Sequence, residues 1–347
     1  MNSLVTMSRR TMVTLVVAAV SVLGVSAQQH IQINGAGATF PYPIYSKWFA
    51  EYNRLHSNVE INYQSIGSGG GIRQLSNQTV FFGATDGPMT PEQQQAAPGK
   101  ILHFPTVLGA VVPIYNIPGV SQELKFSGPA LANIFLGKIT KWNDPALTAL
   151  NPGVNLPGTD IVVAHRSDGS GTTYIWLDYL AKVSPEFKKT VGVGTSAKWP
   201  VGVAAAKNDG VAAIVSQTPG ALGYVELIFA IQTKTAYGTV QNANGRFVKA
   251  SIDSVTAAAA AAAKQMPADY RVSITNAPGD AVYPISSFTW LLLYQDPKDK
   301  AQSKAMVDFM KWALTDGQKL AGAMGYAPIP ANVVEMEMKT LATIKVQ

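Results

Sequence analysis

From Arg166 to Thr172 the chain reads Arg-Ser-Asp-Gly-Ser-Gly-Thr, one residue after the apolar run Ile161-Val162-Val163-Ala164. This places a guanidinium, several hydroxyls and small residues at the opening of a helix. From Thr173 onward, Ile175, Trp176, Tyr179, Leu180 and Val183 recur at helical spacing. The first N–H groups of a helix lack intrahelical partners, and the aligned peptide dipoles put partial positive charge there. A small oxyanion is the ligand that suits such a place. The plainer alternative makes Asp168 or Ser170 a helix cap and Arg166 a solvated charge.

Repetition favours the anion. Ile31 and Ile33 alternate as a strand, and Asn34-Gly35-Ala36-Gly37-Ala38-Thr39-Phe40 leads into a helix with Ile44, Tyr45, Trp48, Phe49 and Tyr52 on one face. Pro41 and Pro43 suit its first turn, where no N–H is required. Val59, Ile61 and Tyr63 form a second alternating strand, and Gly67-Ser68-Gly69-Gly70-Gly71 turns it into a helix beginning near Ile72. Three strand–glycine–helix junctions, each with a hydroxyl, suggest N-termini that converge on one ligand. Glycine-rich loops also serve ordinary turns in any α/β protein.

One carboxylate belongs with this set. Val80 to Thr85 reads as a strand ending at Asp86, before Gly87-Pro88. A carboxylate repels most anions, but phosphate keeps at least one proton near neutral pH, and a carboxylate accepts that proton in a short charge-assisted hydrogen bond. Fully ionised sulfate offers no proton. A site built around such a bond rejects the analogue lacking it by a factor on the order of 10⁴–10⁵. Asp86 is therefore the candidate discriminator, whereas Asp168, two residues from Arg166, is placed to hold the guanidinium.

The elements that must position these groups follow from the rest of the chain. Residues 1–27 read as a secretory signal: Arg9 and Arg10, an apolar stretch from Thr11 to Val25, and Val25-Ser26-Ala27 as a cleavage pattern. The stretch is short against the about 20 apolar residues of a membrane span. The arginine pair leaves general secretory and twin-arginine export both open. The expected location is an extracytoplasmic space, most simply a bacterial periplasm. The chain contains no cysteine, which excludes disulfides, a cysteine nucleophile, thiolate metal sites and lipidation on cysteine.

The whole chain carries 27 Lys+Arg against 21 Asp+Glu. Residues 1–27 contain two arginines and no acid, so the remainder is +4. This mild excess helps draw an anion to a cleft, and without a basic stripe interleaved with aromatics no nucleic-acid partner is expected. The remaining 320 residues exceed what one core usually serves, and strands alternate with helices, so an α/β protein of two lobes with mostly parallel strands is expected. Phe104–Tyr115 is long for one strand and reads as a crossing between lobes, with Tyr283–Tyr294 as the return. That predicts one lobe from 28–107 with 283–347 and a second, inserted lobe at 108–282. The alanine run from Ala257 to Ala263 reads as a surface helix of the inserted lobe. Lys298 to Ala323 reads as one terminal amphipathic helix burying Met306, Phe309, Met310, Ala313 and Leu314.

Enzyme signatures fail. Ser170 has Asp168 where a nucleophile elbow needs glycine, no H-E-x-x-H or phosphate-binding G-x-x-x-x-G-K-[ST] loop occurs, and the four histidines are scattered.

The runs Gly35–Pro41, Ile66–Gly71, Phe82–Asp86 and Arg166–Thr172, with Leu136–Trp142, Lys198–Gly202 and Pro219–Glu226, together resemble the periplasmic phosphate-binding proteins of the phosphate-specific ABC transporter. The resemblance extends in order over nearly all of the chain after residue 27. It implies a two-lobed Venus-flytrap fold, the type II periplasmic-binding-protein architecture, with crossing hinge strands closing on dehydrated phosphate. It also implies phosphate contacts from Thr39, the backbone N–H of Phe40, Ser68, Asp86, Arg166, Ser170, Gly171 and Thr172, with Asp168 pairing the arginine. Phe81 and Thr85 depart from an aspartate and a serine in the family pattern, at positions that are not ligands. The implied partners are inorganic phosphate and a membrane ABC permease of transmembrane and ATP-binding subunits. The receptor itself is expected to be a monomer without catalysis, metal or cofactor. The rival readings are a secreted phosphatase using the same cradle and an extracellular scavenging or adhesion protein.

Overall fold

A computed structural model describes residues 30–263 and 266–347; the expected signal, 1–27, lies outside the described residues. The main sheet runs, edge to edge, Val59–Ser65, Ile31–Gly37, Phe82–Thr85, Ser286–Tyr294, Ile101–Tyr115, Ala221–Glu226, Val162–Arg166 and Val203–Ala205. The short strand Ala236–Tyr237 pairs with the far end of Ile101–Tyr115.

The 15-residue strand Ile101–Tyr115 joins the two halves of this sheet. Its first part, to Ala110, pairs with Ser286–Tyr294, and from Val111 onward it pairs with Ala221–Glu226. All but one of its residues are buried, which is why the sequence reads as a continuous apolar run rather than an alternating one. The strands are parallel within each half, but every pairing along the seam is antiparallel. The expectation of mostly parallel strands therefore fails at the seam. The chain leaves the first half along one strand and returns along its neighbour, so the two must run in opposite directions.

Each half has its own aromatic core, and each core fixes the helix that opens at the site. In the first half, Tyr45, Trp48, Phe49 and Tyr52 of the helix Tyr42–Leu55 are buried against Tyr63, Phe82 and Phe309. In the second, Trp176 of the helix Gly171–Val183 stacks on Tyr224 at 5.1 Å and 11°, with Phe135 alongside. Each fully buried ring contributes roughly 1.5–3 kcal/mol.

Two helices differ from expectation. The alanine-rich helix Ile252–Ala263 is not a plain surface helix: it buries Val255, Ala258 and Ala259 while packing on both seam strands. Small side chains let its backbone lie close to the sheet. The single helix expected over Lys298–Ala323 is Lys300–Ala313 followed by two short 3-10 turns, Gly317–Leu320 and Gly322–Met324. The break delivers the Gly317 carbonyl to the buried indole N–H of Trp48, which donates to it at 2.8 Å. The predicted apolar face, Met306, Phe309, Met310, Ala313 and Leu314, is buried. A further helix, Ala331–Leu341, follows that the periodicity did not suggest.

Candidate anion-binding site

The three glycine junctions are present as strand-to-helix turns: Ile31–Gly37 into Tyr42–Leu55, Val59–Ser65 into Ser68–Ser76, and Val162–Arg166 into Gly171–Val183. A fourth strand, Phe82–Thr85, ends at Asp86. Thr39, Phe40, Ser68, Asp86, Arg166, Ser170 and Thr172 are all buried, as is Gly171.

The halves meet here. Ser68 Oγ accepts from the Asp86 N–H at 3.2 Å within the first half and from the Gly171 N–H at 3.1 Å across the cleft. The Gly69 N–H donates to the Gly169 carbonyl at 2.9 Å. Gly67 has φ 90°, and a Cβ there would lie 2.4 Å from Asp168 Oδ2. A Cβ on Gly171 would lie 2.5 Å from Ser68 Oγ and 2.6 Å from Asp86 Oδ2. Gly171→Ala is therefore expected to hold the halves apart while leaving each half folded. Its checkable result is loss of phosphate affinity by roughly tenfold or more, since overpacking of this kind costs about 1–3 kcal/mol, with near-native circular dichroism.

Arg166 ends its strand with a side chain only 1% exposed. Its Nε and Nη2 donate to Asp168 Oδ1 and Oδ2 at 2.7 and 2.5 Å, a bidentate pair. Burial alone would raise the Asp168 carboxyl, but the Arg166 guanidinium and the Lys207 N–H outweigh it and hold it below its ordinary range. Lys207 makes that contact at 3.0 Å with its backbone at φ 65°, a left-handed conformation that is costly for a residue with a side chain. The third guanidinium nitrogen, Nη1, is buried and has no hydrogen-bond partner among the described residues. A buried unpaired cationic donor is expensive unless a ligand meets it. Asp168 thus orients the arginine, as its spacing suggested; the helix Gly171–Val183 is capped by Ser170 instead, while Asp168 takes the first N–H of the helix Lys207–Gln217.

Asp86 is 1% exposed. Its Oδ1 accepts from Thr289 Oγ1 at 2.8 Å, and Ser68 Oγ lies 3.5 Å from Oδ2. Burial pushes its carboxyl up to about 7, with Thr289, Arg166 and Ser68 pulling the other way. Thr289 reaches it because Ser286–Tyr294 runs antiparallel to Phe82–Thr85 with Trp290 opposite Thr85, so the next step along both strands brings Thr289 opposite Asp86. On the other side of Thr289 the ladder slips, with Thr106 as the extra, bulged residue.

The hydroxyls are polarised by their neighbours. Ser68 already accepts from two backbone N–H groups. Ser170 caps its helix, accepting from the Thr173 N–H at 3.0 Å. Capping and anion binding are therefore compatible at Ser170, since one lone pair serves the cap and the proton remains to be donated. The Phe40 carbonyl accepts from Tyr326 at 2.7 Å, fixing that turn. Four neighbours were not singled out from the sequence. Asn208 and Thr289 bond directly to these residues, Tyr224 accepts from the Arg166 N–H at 3.3 Å, and buried Glu226 caps Leu227–Gln232. Asn208 lies within a Lys-Asn-Asp-Gly run that reads as a turn, and Thr289 within a plain strand, so neither carried a local signal. His165, beside Arg166, stacks on Trp199 at 5.0 Å, and burial lowers its pKa.

Two α/β halves joined by a shared strand, with buried donors and an acceptor gathered where they meet, are the build of a two-lobed binding protein. The description "PBP superfamily domain" matches residues 24–317. The chain is 48% identical over 314 residues to the phosphate-binding protein PstS of Xylella fastidiosa strain 9a5c, covering 89% of this chain and 85% of that one. It is 44% identical over 330 residues to the phosphate-binding protein PstS of Pasteurella multocida, covering 95% and 94%. Among solved structures, a high-affinity periplasmic phosphate-binding protein bound with phosphate has the same fold, with TM-score 0.71, 21% identity and coverage of 89% and 93%. The chain belongs to the PBP superfamily and, within it, to the family of the phosphate-binding proteins PstS.

Proposed function

We propose that this chain captures inorganic phosphate in the periplasm and delivers it to a membrane ABC permease of transmembrane and ATP-binding subunits. It acts as a monomer after loss of residues 1–27, and it performs no chemistry on its ligand. The observation that carries the reading is the Arg166 guanidinium, buried, oriented by Asp168 and left with Nη1 unpartnered, near enough to the buried acceptor Asp86 to draw its carboxyl down. The names of the relatives, phosphate-binding proteins, support the same ligand.

In this reading Thr39, the Phe40 N–H, Ser68 and Asp86 meet phosphate from the lobe built of 28–107 and 283–347. Arg166, Ser170, Gly171 and Thr172 meet it from the lobe 108–282. A ligand shifts a conformational equilibrium only by its differential affinity for the two states. Phosphate touching both lobes has that difference, because an open cleft offers only half of its contacts.

The test is a distance across the cleft. Tyr42 and Val193 are exposed, and the chain has no cysteine of its own, so Tyr42→Cys with Val193→Cys accepts a label pair cleanly. Saturating phosphate is expected to shorten the label distance, and equal sulfate to leave it unchanged. An unchanged distance in phosphate, with binding demonstrated by calorimetry, would remove the closure mechanism. Thermal stabilisation alone would not decide it, because any ligand that prefers the native state stabilises by RT ln(1 + [L]/Kd).

A further inference from the structure

Asn208, the second residue of the helix Lys207–Gln217, is fully buried and reaches both sides of the site. Its Nδ2 lies 2.8 Å from Thr39 Oγ1 and 3.4 Å from Thr172 Oγ1. Its Oδ1 lies 3.2 Å from the backbone nitrogen of Glu226. That last contact settles which way the amide faces. A backbone N–H only donates, so the oxygen must meet Glu226, and the nitrogen is left to face the two hydroxyls. The Glu226 nitrogen is itself held in place, since Glu226 pairs with Val111 in the seam ladder.

A hydroxyl has one proton and two lone pairs, and alone it is equally able to donate or to accept. Here each threonine oxygen receives an amide proton. Neither hydroxyl can return its own proton to Nδ2, which is saturated, so each must direct it elsewhere. We propose that Asn208 is a positioning residue that commits Thr39 and Thr172 to act as donors toward bound phosphate. The proposal rests on the reading of those threonines as phosphate contacts. It also ties the polarity of the pocket to its closure. Thr39 follows the strand Ile31–Gly37 of the first half, whereas Thr172 and Asn208 belong to helices of the second. The amide therefore reaches Thr39 only when the halves are together.

With both threonines committed, the hydroxyls around the pocket share one polarity. Ser68 and Ser170 already have lone pairs occupied by backbone N–H groups. Asp86 is then the acceptor set against a surround of donors. An anion with one proton matches that pattern, and one with several does not.

The test is a double-mutant cycle on phosphate affinity, measured by calorimetry with the full mature chain. The four proteins are wild type, Asn208→Ala, the pair Thr39→Val with Thr172→Val, and the triple variant. Asn208→Ala is expected to weaken phosphate binding about tenfold in the wild-type background, the order of a hydrogen-bond contribution in a dehydrated site. In the valine background the same change is expected to cost less than about twofold, because the groups it acts through are gone. Equal weakening in both backgrounds would overturn the proposal and leave the site intact. Valine variants that bind phosphate as tightly as wild type would instead remove the threonines from the site, and the reading of the site would fail with them.

Asn208→Asp supplies a second arm should the alanine variant fold poorly. It keeps the acceptor for the Glu226 N–H but turns the hydroxyl-facing end into an acceptor. Its penalty is expected to be larger than that of alanine in the wild-type background and to shrink in the valine background, where only the added charge remains. A penalty of the same size in both would count against the proposal.

Discussion

Arg166→Ala is expected to weaken phosphate binding by roughly 2–5 kcal/mol, on the order of 30-fold to several thousandfold. The size follows from what is left behind. Arg166 is buried with its charge divided between Asp168 and the unpartnered Nη1. Without it, Asp168 and Asp86 face the pocket with no guanidinium between them and the ligand. A dianion entering that pocket would lose water and gain no charged partner. Arg166→Lys is expected to recover only part of the loss, because one ammonium cannot hold both Asp168 oxygens in a planar fork and also reach the ligand. Calorimetric titration of all three proteins reads the effect. An alanine variant within twofold of wild type would exclude Arg166 from the site.

Asp86→Asn is expected to change which anion is bound more than how the protein folds. Above about pH 7, where Asp86 is ionised, wild type should reject sulfate because an ionised acceptor faces an oxygen with no proton, a discrimination on the order of 10⁴–10⁵ for such sites. An amide can donate to that oxygen, so the variant's phosphate-over-sulfate ratio is expected to fall by roughly a hundredfold or more. Equal rejection of sulfate by both proteins would reduce Asp86 to a turn residue.

The same substitution carries a pH signature. The Asp86 carboxyl in the closed structure sits at about 7, above its ordinary 3.8, chiefly through burial. A raised native pKa means that the native state holds the proton over a range where the unfolded chain has lost it. Stability from this group is therefore present at acid pH and is lost as pH rises from about 4 to about 7. Asp86→Asn removes that loss. Ligand-free variant and wild type are expected to differ little near pH 4, with the variant gaining in melting temperature relative to wild type up to about pH 7 and no further above it.

The parts of this protein legible in the sequence are those carried by neighbours along the chain. The helix faces at Ile44–Tyr52 and Ile175–Val183 repeat locally, and so do the glycine turns that precede them. The pairing of Asp168 with Arg166 spans two residues, so its geometry follows from one turn of backbone. Phe104–Tyr115 announced the crossing because a strand buried on both faces cannot alternate. The likeness to phosphate-binding proteins rested on the same local runs, and the relatives bear it out.

What lay beyond the sequence depends on which distant groups meet. Thr289 meets Asp86, 203 positions away, because the return strand Ser286–Tyr294 pairs antiparallel with Phe82–Thr85, Trp290 opposite Thr85. The seam runs antiparallel because the return strand is a neighbour in space and not in order. Asn208 meets Thr39 across 169 positions, and its amide is oriented by the backbone of Glu226. A sequence states that a side chain can donate or accept. The direction in which each proton points is set by the partners that folding brings to it, and in a pocket closed from water that direction decides which anion fits.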